Sequence, residues 1–148
     1  MKISTKGRYG VTAMVDLALH YGDGPQALKM VAQRQGISEN YLEQLISVLR
    51  KSGYVKSIRG AQGGYVLTKS PEEVSVGDII RLMEGPIAPV DCLISDDGSG
   101  QNDYCEKAGN CVTQGVWAKV RDSITNVLDS ISLADLCRDE KLEEMKSR

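Results

Sequence analysis

Phenylalanine is absent from this 148-residue chain, and tryptophan occurs once. The core must therefore rest on aliphatic residues, methionine and a few of the six tyrosines. No run of eighteen apolar residues occurs, so nothing in the sequence suits a membrane span. The opening MKISTKGRYG is basic but lacks the apolar stretch of a signal peptide, which predicts a cytoplasmic protein. Thiols stay reduced in that compartment, so the four cysteines point to metal or redox chemistry more than to disulfides. Histidine is also scarce: His20 stands alone. No histidine–carboxylate or nucleophile–base constellation exists, so an enzyme is not expected.

The net charge of −2 hides an asymmetry. Residues 1–69 hold ten Lys or Arg against four Asp or Glu, whereas residues 70–148 hold eight against sixteen. A basic half joined to an acidic half suggests a polyanion-binding head on a body that binds none.

The head, residues 1–85, reads as a winged helix-turn-helix. Tyr9 to Tyr21 carries Val11, Met14, Val15, Ala18 and Leu19 at helical spacing, with Ser4 or Thr5 to cap it. Lys6 and Arg8 stand at its entrance. Ala27–Gln35 is a second helix, stopped by Gly36, where a left-handed turn costs glycine little. Ser38 then reads as an N-cap, with Glu39 in the first turn near the positive end of the helix dipole. Tyr41, Leu42, Leu45, Ile46 and Leu49 form the buried face of this third helix, and Asn40, Glu43, Gln44 and Ser47 look outward. A short helix, a glycine turn and a capped second helix have helix-turn-helix spacing.

Outward Asn40 and Gln44 suit the donor–acceptor edge of adenine, and Glu43 suits the amino group of cytosine. Two short strands follow, Tyr54–Ile58 and Tyr65–Leu67, joined by a glycine-bearing loop with Arg59 at its tip and Lys56 nearby. An arginine on such a loop can enter a narrow minor groove, where the potential is most negative. Ser75 with Asp78 three residues on starts another helix, and Gly85, Pro86 and Pro89 end the head.

Residues 86–111 form a polar, turn-rich loop holding Cys92, Cys105 and Cys111, with twelve and then five residues between them. That spacing is too irregular for a zinc ribbon. Soft thiolates there suit an iron–sulfur cluster, a zinc ion or thiol sensing. Cys137 follows Leu133 and Leu136 on an apolar helical face and is expected to be buried, and His20 is expected at a partly exposed helix end. Val112–Ile131 is a strong helix, with Val116, Trp117, Val120, Ile124, Val127, Leu128 and Ile131 at three-and-four spacing. Pairing with a second copy would cover that stripe, and a symmetric dimer would match a palindromic DNA site. Ser132 with Asp135 opens a short last helix, and Lys141–Arg148 is expected to fray. Residues 112–148 thus read as a dimerisation helix plus a short terminal helix. The predicted class is mainly α with a small β wing.

MKISTKGRYGVTAM, RQGISENYLEQL, LRKSGYV, SIRGAQGGYVL and VGDIIRLMEG resemble the IscR-type winged-helix transcriptional regulators, a family that also includes NsrR and CymR. The resemblance runs from Met1 to about Leu136, and CVTQGVW resembles the family's segment bearing the third cysteine and a ligand histidine. It implies a homodimeric regulator holding an iron–sulfur cluster through Cys92, Cys105 and Cys111. The expected cluster is 2Fe–2S, with 4Fe–4S as the alternative. It also implies DNA contacts from the reading helix, here Asn40, Glu43 and Gln44, and from the wing, here Arg59. Gln114 stands where the family has its histidine, so the fourth ligand is open among Gln114, Asp103, Glu106 and a group from the head. NsrR's head-derived aspartate falls at Arg8, which argues against transferring its ligand set. CymR matches the head but lacks the cysteine trio.

Overall fold

The computed structural model describes residues 2–88 and 112–147. Among the described residues, six α-helices and one two-stranded antiparallel sheet follow in the order α1 (Thr5–Leu19), α2 (Leu28–Gln35), α3 (Glu39–Lys51), β1 (Val55–Ile58), β2 (Gly64–Leu67), α4 (Val76–Glu84), α5 (Gln114–Ser130) and α6 (Leu133–Lys146). A single 3₁₀ turn, Pro71–Glu73, precedes α4 and has no counterpart in the periodicity of the sequence.

The helix boundaries follow the capping chemistry. Ser4, not Thr5, caps α1, its hydroxyl accepting from the Gly7 amide at 3.2 Å. The helix stops at Leu19, two residues before the expected end, because the chain turns at His20–Gly22 and the Tyr21 amide bonds the Ala18 carbonyl. Gly36 takes the left-handed conformation, φ 65°, that closes α2 and turns the chain into α3. Ser38 caps α3 through the Tyr41 amide at 3.2 Å. Ser75 with Asp78, and Ser132 with Asp135, form complete capping boxes at α4 and α6. The Ser132 amide and hydroxyl hold the Asp135 carboxyl below the usual carboxylate range.

The main core joins α1, α2, α3 and α4 through Met14, Leu17, Val31, Leu42, Leu45, Leu49 and Ile79. Leu133 and Cys137 of α6 belong to that same cluster. The terminal helix therefore returns to the head. It runs to Lys146, where fraying from Lys141 was expected; burial of Leu133 and Cys137 and the strong cap give it an anchored first half from which the charged turns propagate. A short backbone crossing fixes the return: the Val76 amide bonds the Ile131 carbonyl at 2.8 Å, and the Leu133 amide bonds the Val74 carbonyl at 2.9 Å.

α5 divides its apolar residues between two surroundings. Ile124 and Leu128 pack with Ile131 against Val76, Ile80 and Ile87. Arg81 of α4 holds Asp129 with two bonds of 2.7 and 2.6 Å, and a Cβ at Gly77 would overlap that same carboxylate, so the two helices approach closely there. Val116 (52% exposed), Trp117 (40%) and Val127 (58%) of α5 are left uncovered among the described residues.

Candidate nucleic-acid interface

The hydrophobic face of α3 buries Leu42, Leu45, Ile46 and Leu49, with Tyr41 half-buried. That burial fixes the rotation of the helix and leaves Asn40, Glu43 and Gln44 exposed. Together with the half-buried Ser47, these three line one shallow open concavity. The structure thus brings the expected reading residues onto a single surface, three and four positions apart on one helical face.

The wing stands at the C-terminal side of this helix. β1 and β2 pair in the register Val55↔Leu67 to Ile58↔Gly64, which leaves Arg59 in the exposed connecting loop and Lys56 exposed on β1. The hairpin is tied back to the α1–α2 connection: the Gln26 amide bonds the Tyr65 carbonyl at 3.0 Å, and the Tyr65 amide bonds the Gln26 carbonyl at 2.9 Å. Gly64 makes this possible, since a Cβ there would overlap the Gln26 carbonyl and lie 2.8 Å from the Ala27 nitrogen. Lys69 sits 5.1 Å over the Tyr54 ring at the foot of the hairpin. Gly64→Ala should therefore displace the wing without removing any contacting side chain. Its operator affinity should fall about tenfold, or about 1.4 kcal/mol, as for Arg59→Ala. Titration of labelled operator at fixed salt checks this, and unchanged affinity in Gly64→Ala would show that wing placement is irrelevant.

Two features that support α3 escaped sequence reasoning. Asp16 is an acidic residue only 1% exposed, and it lies inside the apolar stripe of α1. Arg34 of α2 donates to it through Nε at 3.0 Å and a terminal nitrogen at 2.7 Å, and Gln35 Nε2 adds a bond of 2.8 Å. The carboxylate raises the Arg34 guanidinium above its ordinary value. This cluster pins α2, and with it the turn into α3, onto α1. The only hint in the sequence is a lone acid within Met14–Val15–Asp16–Leu17–Ala18. The second feature is an edge-to-face contact of Tyr9 with Tyr41, ring centroids 5.9 Å apart, which joins the start of α1 to the start of α3. His20 sits at the end of α1, its ring 31% exposed, with Nδ1 2.8 Å from the Asp16 carbonyl oxygen.

Of the expected cluster residues, Cys92, Cys105, Cys111, Asp103 and Glu106 lie outside the described residues. Gln114 is the first residue of α5. Cys137 is buried in the core, and burial pushes its thiol up. Among the described residues, no three His, Cys, Asp or Glu side chains are grouped to hold a metal. No described helix is long and apolar enough to cross a membrane.

This arrangement is shared with known proteins. The Rrf2 family, described as "Iron-dependent Transcriptional regulator", matches residues 3–139. The chain is 49% identical over 136 residues to the HTH-type transcriptional regulator CymR of Bacillus subtilis, covering 92% of this chain and 89% of that one. The solved structure of B. subtilis CymR, called there the global cysteine regulator, superposes with a TM-score of 0.76 over 93% of this chain and 97% of that one. The chain is 40% identical over 148 residues to the HTH-type transcriptional regulator IscR of Aliivibrio salmonicida, covering all of this chain and 84% of the relative. The solved T. potens IscR is 52% identical, with a TM-score of 0.75, over 95% of this chain and 88% of that one. A winged helix-turn-helix with an exposed polar face on α3, matched in sequence across nearly its whole length, makes this chain a member of the Rrf2 family of transcriptional regulators.

Proposed function

We propose that the chain is a homodimeric regulator whose grip on a palindromic operator is gated by an iron–sulfur cluster, and that it serves genes of cluster biogenesis. α3 reads the major groove through Asn40, Glu43 and Gln44, while Arg59 enters the minor groove and Lys56 neutralises phosphate. Residues 1–85 form the reading head, 86–111 carry the sensing thiols, and 112–148 supply the pairing surface. The observation that carries the gating is the cysteine trio in a chain of an iron-dependent family. Cys92, Cys105 and Cys111 would hold the cluster. Three thiolates with an oxygen donor fit a 2Fe–2S centre, and the donor set also admits 4Fe–4S. Gln114, Asp103, Glu106 or a head group would complete the set. Such a weak fourth ligand would leave the centre labile, which suits a sensor better than an electron carrier. Cys137 is excluded as a ligand in this reading because the main core encloses it.

The test is anaerobic iron and sulfide analysis with operator titration. Replacing Cys92, Cys105 and Cys111 by alanine together should abolish the chromophore and change operator affinity. Cys137→Ala should keep the iron content and lose about 1 kcal/mol of stability or somewhat more. Brown colour surviving the triple replacement refutes the ligand assignment.

The 49% identity to CymR favours one second reading, a thiol-redox or nitric-oxide responsive regulator of the same fold. In that case purified protein lacks iron and sulfide, and operator affinity follows the oxidation state of the loop thiols.

A further inference from the structure

We infer that Glu84 is a positioning residue through which the chain following α4 sets the placement of the reading helix. It is the last residue of α4 and precedes Cys92 by eight positions. A carboxylate at a helix C-terminus opposes its own helix dipole. Here it sits at the opposite pole of another helix. The Ser4 amide, at the N-cap of α1, donates to Glu84 Oε1. The carboxylate thus satisfies an orphan donor of α1 and meets the positive end of that dipole.

Two glycines make room for this contact. A Cβ on Gly7 would overlap the Glu84 carboxylate, and one on Gly10 would come within 2.9 Å of Met83 Cγ. Both glycines lie within α1, where alanine is the better helix former. Their presence is explained by the end of α4 lying in the slot they leave. α1 then carries Tyr9 onto Tyr41 in the first turn of the reading helix. A continuous path of contacts therefore runs from Glu84 through the first turn of α1 to Tyr41. Beyond Glu84 the anchor is Ile87, buried with Val76 and Ile80. Any displacement of the end of α4 therefore acts on the Glu84 contact, and release of Ser4 loosens the N-terminal turns of α1 that bear Lys6, Arg8 and Tyr9.

The inference rests on the cluster-gating reading above. Gly7→Ala gives a test that removes no side chain: its methyl group would displace only the far end of the flexible Glu84 side chain. The experiment compares the full chain with Glu84→Ala, Glu84→Gln, Gly7→Ala and the Gly7→Ala/Glu84→Ala double variant. It reads amide exchange over Ser4–Arg8, and operator affinity before and after cluster reconstitution.

Exchange should rise in Glu84→Ala and Gly7→Ala and stay at the parent level in Glu84→Gln, which keeps the acceptor. The parent's affinities in the two forms should differ by about 5–150-fold, the usual span for coupled sites, and the ratio should shrink to about twofold in both alanine variants. The double variant should be no worse than either single one. A parent ratio of one overturns the gating reading and the Glu84 role together. A parent ratio preserved in both alanine variants, or exchange unchanged in them, overturns the Glu84 role alone. The glutamine variant decides the matter should the alanine variants fail to fold, since loss of the ratio with exchange intact would contradict it.

Discussion

A Trp117→Glu variant is expected to sediment as a monomer and to bind a two-half-site operator about 10²–10⁴-fold more weakly than the parent. Ile124 and Leu128 of α5 are used inside the chain, against α4. Val116, Trp117, Val120 and Val127 are not, and they lie along the helix at spacings of one, three and seven residues. Trp117 is the largest of them, and a carboxylate in its place would carry a charge into any apolar contact between copies. Loss of pairing turns one bivalent binding event into two independent ones, and the effective concentration of the second head is lost. Each head should still fold, because the main core contains no residue of α5. Sedimentation velocity and titrations against full and half operators provide the check. A dimeric Trp117→Glu protein with parental affinity would mean that this stripe is not the pairing surface.

The second large effect is on stability. Arg34→Ala is expected to cost roughly 2–4 kcal/mol, somewhat less than removing one partner from a fully enclosed ion pair. Asp16 would keep only the Gln35 amide as a side-chain donor at hydrogen-bond distance, while its carboxylate stays almost wholly buried. The discount reflects the partial exposure of Arg34, 30% of its side chain, through which water can reach the vacated place. Tm should fall by about 5–15 °C. Arg34→Lys should lose less, since it keeps the charge and gives up the paired geometry. Thermal melts of the two variants at one protein concentration decide this, and a melting point within error of the parent in Arg34→Ala would remove Asp16–Arg34 from the supports of the fold.

The two effects have different origins, and so did their visibility in the sequence. The α5 stripe is periodic, and period alone places Trp117 and Val120 on one face. Asp16 and Arg34 are eighteen residues apart and conform to no period. Only the packing of α2 against α1 brings them together.

What the amino-acid order settled by itself is local. Ser38, Ser75 and Ser132 start helices because each hydroxyl reaches an amide three residues on. Gly36 ends α2 because a left-handed residue is needed there. The burial of Leu42, Leu45, Ile46 and Leu49 makes Asn40, Glu43 and Gln44 the exposed face, so the outward side of α3 was legible in the sequence. Tertiary structure decided the rest. It folded α6 back onto α1 through Leu133 and Cys137, extending a helix that charge alone would fray. It covered Ile124 and Leu128 of the α5 stripe and left Trp117 exposed, and it set Glu84 against Gly7 and Tyr9 against Tyr41. The physical reason is one of range. Caps and glycine turns act over three or four residues, whereas Tyr9 and Tyr41 are 32 positions apart and Ser4 and Glu84 are 80 apart, and no periodicity encodes which surfaces meet.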